Sequence, residues 1–76
     1  MLVFVVAEIG VNWDGDFDLA EDMMKHAKES GCNAVKFQAF NKQIIGDHPQ
    51  VERLIKSTIS ESNVEKINSL AKSVGI

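Results

Sequence analysis

Seventy-six residues, 45% hydrophobic and 25% charged, describe one small globular domain rather than a disordered or fibrous chain. A net charge of -3, with eight scattered basic residues, excludes nucleic acid as the main partner, since phosphate backbones demand clustered Lys and Arg. The longest apolar run, Met1 to Ala7, is too short for a bilayer and lacks a basic leader and cleavage site, so the expected location is the cytoplasm, away from membranes.

Leu2 to Glu8 is apolar on both alternating faces and rich in β-branched residues, which predicts a first strand, parallel and buried beneath helices. Asn12-Trp13-Asp14-Gly15-Asp16 is a polar turn, and Asp16 is placed to cap a helix from about Phe17 to Ser30. Leu19, Ala20, Met23, Met24 and Ala27 fall on one stripe of that helix. Asp18, Glu21 and Asp22 crowd its first turns, with Lys25, His26 and Lys28 later, as the helix dipole favours. Gly31 ends it. Cys32 follows alone, without the partner that a disulfide or a metal pair needs, and fits a small packed position.

A second strand, Ala34 to Ala39, completes a strand, helix, strand unit that should be parallel with a right-handed crossover. Phe40 to Pro49 forms a long loop of the kind that is more often functional than idle. Val51 to Ser57 predicts a short helix. A last helix is capped by Ser60 or by Ser62, whose Glu65 would complete a capping box, and turns Val64, Ile67, Leu70, Ala71 and Val74 inward. Gly75 stops it, and Ile76 is expected to open a third strand. No repeat, low-complexity tract or linker divides residues 1–76, so one α/β domain without internal boundary is expected. Two parallel strands leave both sheet edges unpaired, so the chain looks incomplete or prone to associate.

Alternation puts Phe4, Val6 and Glu8 on one face of the first strand and Ala34, Lys36 and Gln38 on one face of the second. If both faces point the same way, Glu8, Lys36 and Gln38 converge at the carboxyl ends of neighbouring strands, where α/β folds place their sites. There a cation can hold a phosphate or carboxylate, a carboxylate can orient a hydroxyl or move a proton, and an amide can read a sugar hydroxyl or acetamido group. The same spacing also fits a buried Glu8–Lys36 ion pair that closes a small core.

The other polar residues support weaker expectations. His26 fits a helix-terminal cation and His48 a solvated loop residue; neither suggests a metal ligand. Asn12, Asp14, Asp16 and Asp18 alternate like a calcium loop, but the glycine is misplaced and Met23 stands where the closing Glu belongs. Trp13 could stack on a sugar or pack within its loop, and the Met23–Met24 pair reads as core. Gly10 and Gly15 precede a helix without P-loop or dinucleotide spacing. Asn41, Lys42 and Gln43 could line a polar pocket.

Val6-Ala7-Glu8-Ile9-Gly10-Val11-Asn12, with Gly15 three residues on, and Val35-Lys36-Phe37-Gln38 strongly resemble the amino-terminal part of the sialic acid synthases. That family includes N-acetylneuraminate synthase and its pseudaminic and legionaminic acid relatives. The resemblance runs across nearly the whole chain. It implies the amino-terminal β-α-β-α portion of a (β/α)8 TIM barrel. The parent would be a transferase of carbohydrate biosynthesis that condenses phosphoenolpyruvate with N-acetylmannosamine or a related acetamido sugar, giving a nonulosonic acid and phosphate. It also implies a divalent metal, manganese or magnesium, and a homodimer in which an antifreeze-like domain of one subunit covers the partner's barrel. Carried over by position, Lys36 contacts phosphoenolpyruvate, Glu8 sits beside the reacting centre, Gln38 touches the sugar, and Asn12 joins the substrate-binding set.

In that chemistry the metal polarises the sugar aldehyde, so Lys36 supplies charge and position rather than a nucleophile. Where the family usually reads Asn-His-Asn-Gly, this chain has Asn12-Trp13-Asp14-Gly15; where it reads Phe-Gln-Thr-Phe, the chain has Phe37-Gln38-Ala39-Phe40. The family's metal-binding histidines would fall beyond Ile76, so no metal ligand is expected within the chain, and the isolated chain is expected to be inactive. Two alternatives stand beside this reading: a free-standing α/β module that oligomerises or binds without catalysis, and a related phosphoenolpyruvate-condensing barrel that makes other sugar acids.

Overall fold

A short apolar strand needs a neighbour for its backbone, and Val6–Gly10 (β1) finds one in Ala34–Phe37 (β2), forming a parallel two-stranded sheet. The computed structural model describes residues 2–40 and 46–76; Asn41, Lys42 and Gln43, expected to line a pocket, lie outside the described residues, as does Met1. Between the strands runs Phe17–Glu29 (α1), and beyond them come Val51–Ser57 (α2) and Val64–Val74 (α3), which lies against α1.

Both strands are shorter than their apolar patterns. Leu2 to Val5 stand outside β1, with Leu2, Val3 and Phe4 exposed at 102, 69 and 72%. The reason is the partner: β2 begins at Ala34, opposite Val6, so residues ahead of Val5 meet no backbone in the sheet. Val5 itself is held by Asn33, whose side-chain Oδ1 accepts the Val5 N–H and whose N–H donates to the Val5 carbonyl, both at 2.8 Å. β2 stops at Phe37 rather than Ala39 because the register shifts between Glu8 and Gly10, and Gly10, at φ 58°, turns β1 away. The Gln38 carbonyl accepts the Ile59 N–H at 2.8 Å instead, and the Thr58 hydroxyl meets both backbone groups of Phe40.

The first helix forms as its caps dictate. Asp16 Oδ1 accepts the N–H groups of Asp18 and Leu19 at 2.9 and 3.3 Å, and the chain leaves α1 through Ser30 and Gly31. Ala20, Met24 and Ala27 are buried and Met23 is half-buried, whereas Leu19 is exposed. On an ideal helix Leu19 lies about 100° around from Ala20, outside the narrow face that meets the sheet and α3.

Neither Ser60 nor Ser62 caps α3. Their hydroxyls pair with each other at 2.8 Å, and Asn63 takes the N-cap position with its carboxamide turned back, accepting the Ser60 N–H at 2.7 Å and donating to the Thr58 carbonyl at 3.0 Å. The capping box with Glu65 therefore does not form. Gly75 ends the helix as expected, and the ammonium of Lys28 caps the Val74 carbonyl at 2.8 Å. Ile67 is buried; Leu70, Ala71 and Val74 are half-buried and Val64 is exposed.

Ile9, Trp13, Ala20, Met24 and Ile67 form the buried cluster, with Phe17, Val35 and Phe37 packed around it. These core residues lie on the helix-covered side of the sheet, while Val6, Glu8 and Lys36 remain exposed, so β1 is covered on one face and not on both. The accessible area of 5430 Å² exceeds the roughly 4,600 Å² expected of a compact monomer of 8.4 kDa, and the exposed run from Leu2 to Val6 accounts for part of the surplus. Among the described residues no helix is long and apolar enough to cross a membrane.

Gly15 sits at φ 73° where a Cβ would lie 2.6 Å from the Lys56 carbonyl oxygen, whereas Gly31, at φ 91°, has open space around it. Gly31→Ala should therefore lose only the left-handed backbone cost of about 1–2 kcal/mol, and Gly15→Ala a further ~1–3 kcal/mol from the forced separation of its turn from α2. Urea denaturation followed by circular dichroism measures both. Equal losses would show that the turn does not approach α2 so closely in solution.

Candidate functional site

Parallel pairing brings the carboxyl ends of β1 and β2 to the same side, and the register sets Glu8 directly opposite Lys36. Their side chains meet, Lys36 Nζ to Glu8 Oε2 at 3.2 Å. Gln38 joins them across Gly10: an atom in place of the missing Gly10 side chain would lie 3.3 Å from Glu8 Oε1 and 3.5 Å from Gln38 Oε1. Glu8 and Lys36 thus meet as alternation predicts, and Gln38 borders with Glu8 the space that Gly10 leaves open.

The pair is not buried. The Lys36 and Glu8 side chains are 62% and 50% exposed, so the alternative of a buried ion pair closing the core does not hold. The cause is the uncovered face of the sheet, onto which both side chains project. Water around both partners screens their attraction, which leaves the charges accessible to a ligand and makes the pair a small contributor to stability.

The turn after β1 is built differently from what its polar sequence suggests. Trp13 is 1% exposed, with its ring centroid 5.4 Å from that of Phe17 and 5.8 Å from that of Phe37, and its indole N–H donates to the Ser57 carbonyl at 3.0 Å. Packing within the loop is therefore its role, and no face of the ring is left to stack on a sugar. Asn12 is exposed; its Nδ2 donates to the Ile9 carbonyl at 3.0 Å and its Oδ1 accepts from Arg53 Nη2 at a long 3.4 Å. Asp14, at φ 52°, holds Arg53 Nε at 2.6 Å.

Arg53 is the residue that sequence reasoning missed. Its partners lie 39 and 41 residues away, and no local spacing links α2 to the turn after β1. His26 and half-buried Cys32 line, with Met23, Ala27 and Glu8, an open groove of about 380 Å³ between β1 and α1. His48 is exposed and its Nδ1 accepts the Gln50 N–H at 3.0 Å. Among the described residues no group of three or more His, Cys, Asp or Glu side chains lies close enough to hold a metal ion.

Because both partners face water, Glu8→Gln and Lys36→Met should each change unfolding stability by no more than about 1 kcal/mol. Trp13→Ala, which empties the middle of the core, should cost about 3–5 kcal/mol. Denaturant midpoints of the three variants check the contrast. A loss near the Trp13 value for Glu8→Gln would make the ion pair a structural element rather than an available one.

No protein-family model matches the chain. It is 38% identical over 69 residues, 91% of its length, to N,N'-diacetyllegionaminic acid synthase of Legionella pneumophila, and 40% identical over 50 residues, 66% of its length, to N-acetylneuraminate-9-phosphate synthase of Homo sapiens. Its fold superposes over the full chain, with a TM-score of 0.82 and 27% identity, on the crystal structure of N-acetylneuraminic acid synthetase from Leptospira borgpetersenii in complex with citrate. The chain spans 17% and 14% of the two curated relatives and 27% of the solved one. Sequence likeness across nine-tenths of the chain and fold likeness across all of it agree, and the chain belongs to the sialic acid synthase family, as a stretch matching about a quarter or less of these relatives' length.

Proposed function

We propose that this chain is the amino-terminal β-α-β-α portion of a (β/α)8 barrel whose parent enzyme condenses phosphoenolpyruvate with N-acetylmannosamine or a related acetamido sugar, releasing phosphate. The observation that carries the proposal is the Glu8–Lys36–Gln38 cluster, an accessible cation, carboxylate and carboxamide at the carboxyl end of a parallel strand pair. The names of its relatives support the same class of reaction.

Each residue then has a part that its chemistry allows. The Lys36 ammonium is the point charge for a phosphate or carboxylate of phosphoenolpyruvate, and it is tethered before the ligand arrives because Glu8 holds it at 3.2 Å. Glu8 keeps a second carboxylate oxygen, Oε1, at the gap over Gly10, where it can accept a hydroxyl of the incoming sugar. Gln38 offers both a donor and an acceptor to an acetamido group or hydroxyl. The carbon–carbon bond forms between the enol carbon of phosphoenolpyruvate and the sugar aldehyde, whose oxygen takes up a proton to become a hydroxyl. One water is consumed as the enol-ester linkage to phosphate breaks and phosphate leaves. The chain's groups contribute binding and orientation, not a nucleophile.

The family's divalent metal finds no site in the described residues, since no group of three suitable donors comes together and the Glu8 carboxylate is already paired with Lys36. On this reading the parent enzyme is a cytoplasmic homodimer and the isolated chain is inactive, a binding portion rather than a catalyst.

Titration of the isotope-labelled chain with phosphoenolpyruvate, read by nuclear magnetic resonance, tests the binding role. The backbone amides of Glu8, Lys36 and Gln38 should shift, and Lys36→Ala should weaken binding by at least about tenfold, as the loss of a charge-assisted contact predicts. Equal affinity in Lys36→Ala, or shifts confined to other parts of the chain, would sink the assignment.

A further inference from the structure

The turn after β1 is held from outside by one side chain. Arg53, on α2, gives its Nε to Asp14 at 2.6 Å and its Nη2 to Asn12 Oδ1 at 3.4 Å, so a single guanidinium engages two side chains of the same turn. The helix that carries Arg53 is tied to the core. The Arg53 carbonyl accepts the hydroxyl of Ser57 at 2.8 Å, and buried Ser57 in turn takes the Trp13 indole N–H. A lysine ammonium is one compact charge without a planar fork, so it would not reproduce both contacts in fixed relative geometry.

The consequence falls on Asn12. One end of its carboxamide donates to the Ile9 carbonyl at 3.0 Å and the other accepts from the guanidinium. Turning the amide over would set its NH2 against a cation and its oxygen against a carbonyl, so the two contacts select one orientation. An NH2 group carries two protons and the Ile9 carbonyl takes one. The second remains free on an exposed residue two positions beyond the end of β1.

We infer that Arg53 is a positioning residue: anchored by Asp14, it fixes the Asn12 carboxamide so that Asn12 offers a hydrogen-bond donor to a carboxylate or carbonyl oxygen of the ligand. The ligand half of this inference rests on the phosphoenolpyruvate site proposed for Glu8 and Lys36, whereas the clamp itself does not. Arg53 touches no reacting atom; it acts through Asn12.

The experiment is a phosphoenolpyruvate titration of the isotope-labelled full chain in three forms: wild type, Arg53→Ala and Arg53→Lys. In the wild type the two Asn12 Nδ2 protons should be well separated and should move on titration. Arg53→Ala should collapse that separation and weaken binding by about fivefold, the effect of losing one ordinary hydrogen bond. Arg53→Lys should recover little of either effect, and the Trp13 indole N–H signal should stay in place in all three forms, reporting an intact core. If Arg53→Ala fails to fold, Asp14→Asn removes the anchoring charge alone and is expected to give the same loss. Unchanged Asn12 signals with binding within about twofold of wild type, or full recovery in Arg53→Lys, would overturn the clamp. A wild type that binds no phosphoenolpyruvate, while Arg53→Ala still collapses the Asn12 signals, would remove the proposed site and the ligand half together and leave the clamp standing.

Discussion

The buried indole of Trp13 is the contact on which the rest of the arrangement depends. Its ring meets Phe17 at the start of α1 and Phe37 at the end of β2, and its N–H reaches Ser57 at the end of α2, so one side chain joins four segments of the chain. The hydrogen bond is obligatory in such a place, because an indole N–H buried without an acceptor costs its full desolvation. With the ring seated, Gly15 can come up against Lys56, and Lys66 can lie 4.4 Å over the Phe17 ring. The turn after β1 is thereby placed by packing on its buried side, while Arg53 holds Asp14 and Asn12 on its exposed side.

Stability and chemistry are separated in this fold. The core lies on the helix-covered side of the sheet, through Ile9, Ala20, Met24 and Ile67, whereas Glu8 and Lys36 project from the other side into water. Strand alternation makes that division possible, since Ile9 turns inward while its neighbour Glu8 stays opposite Lys36. Charged groups that the core does not need are free to serve a ligand. The pair also keeps the cluster electrically balanced until an anion arrives, so the ammonium is oriented in advance at little desolvation cost.

The bare face has a second physical meaning. Leu2, Val3, Phe4 and Val6 present apolar surface next to a two-stranded sheet, and apolar strands with unpaired edges attract further polypeptide. The solved relative that shares this fold over the full chain is about four times longer.

Much of this was written locally in the sequence. Asp16 and Gly31 bound α1 because caps act on backbone groups within a few residues, and the alternation of Val6, Glu8, Lys36 and Gln38 placed the candidate site because side chains along a strand change face at every step. The tertiary structure alone decided the rest. Where the apolar runs stop being strands depended on which backbone lay opposite; Asn63 took the N-cap position without a side-chain capping bond because its carboxamide found Thr58 and Ser60; Trp13 became core because α2 supplied a carbonyl. Arg53 entered the picture only when folding carried it across 39 residues to Asp14. Short-range rules fix conformation and facing, but a contact between distant segments exists only once the whole set of helices and strands has packed, and no local pattern encodes it.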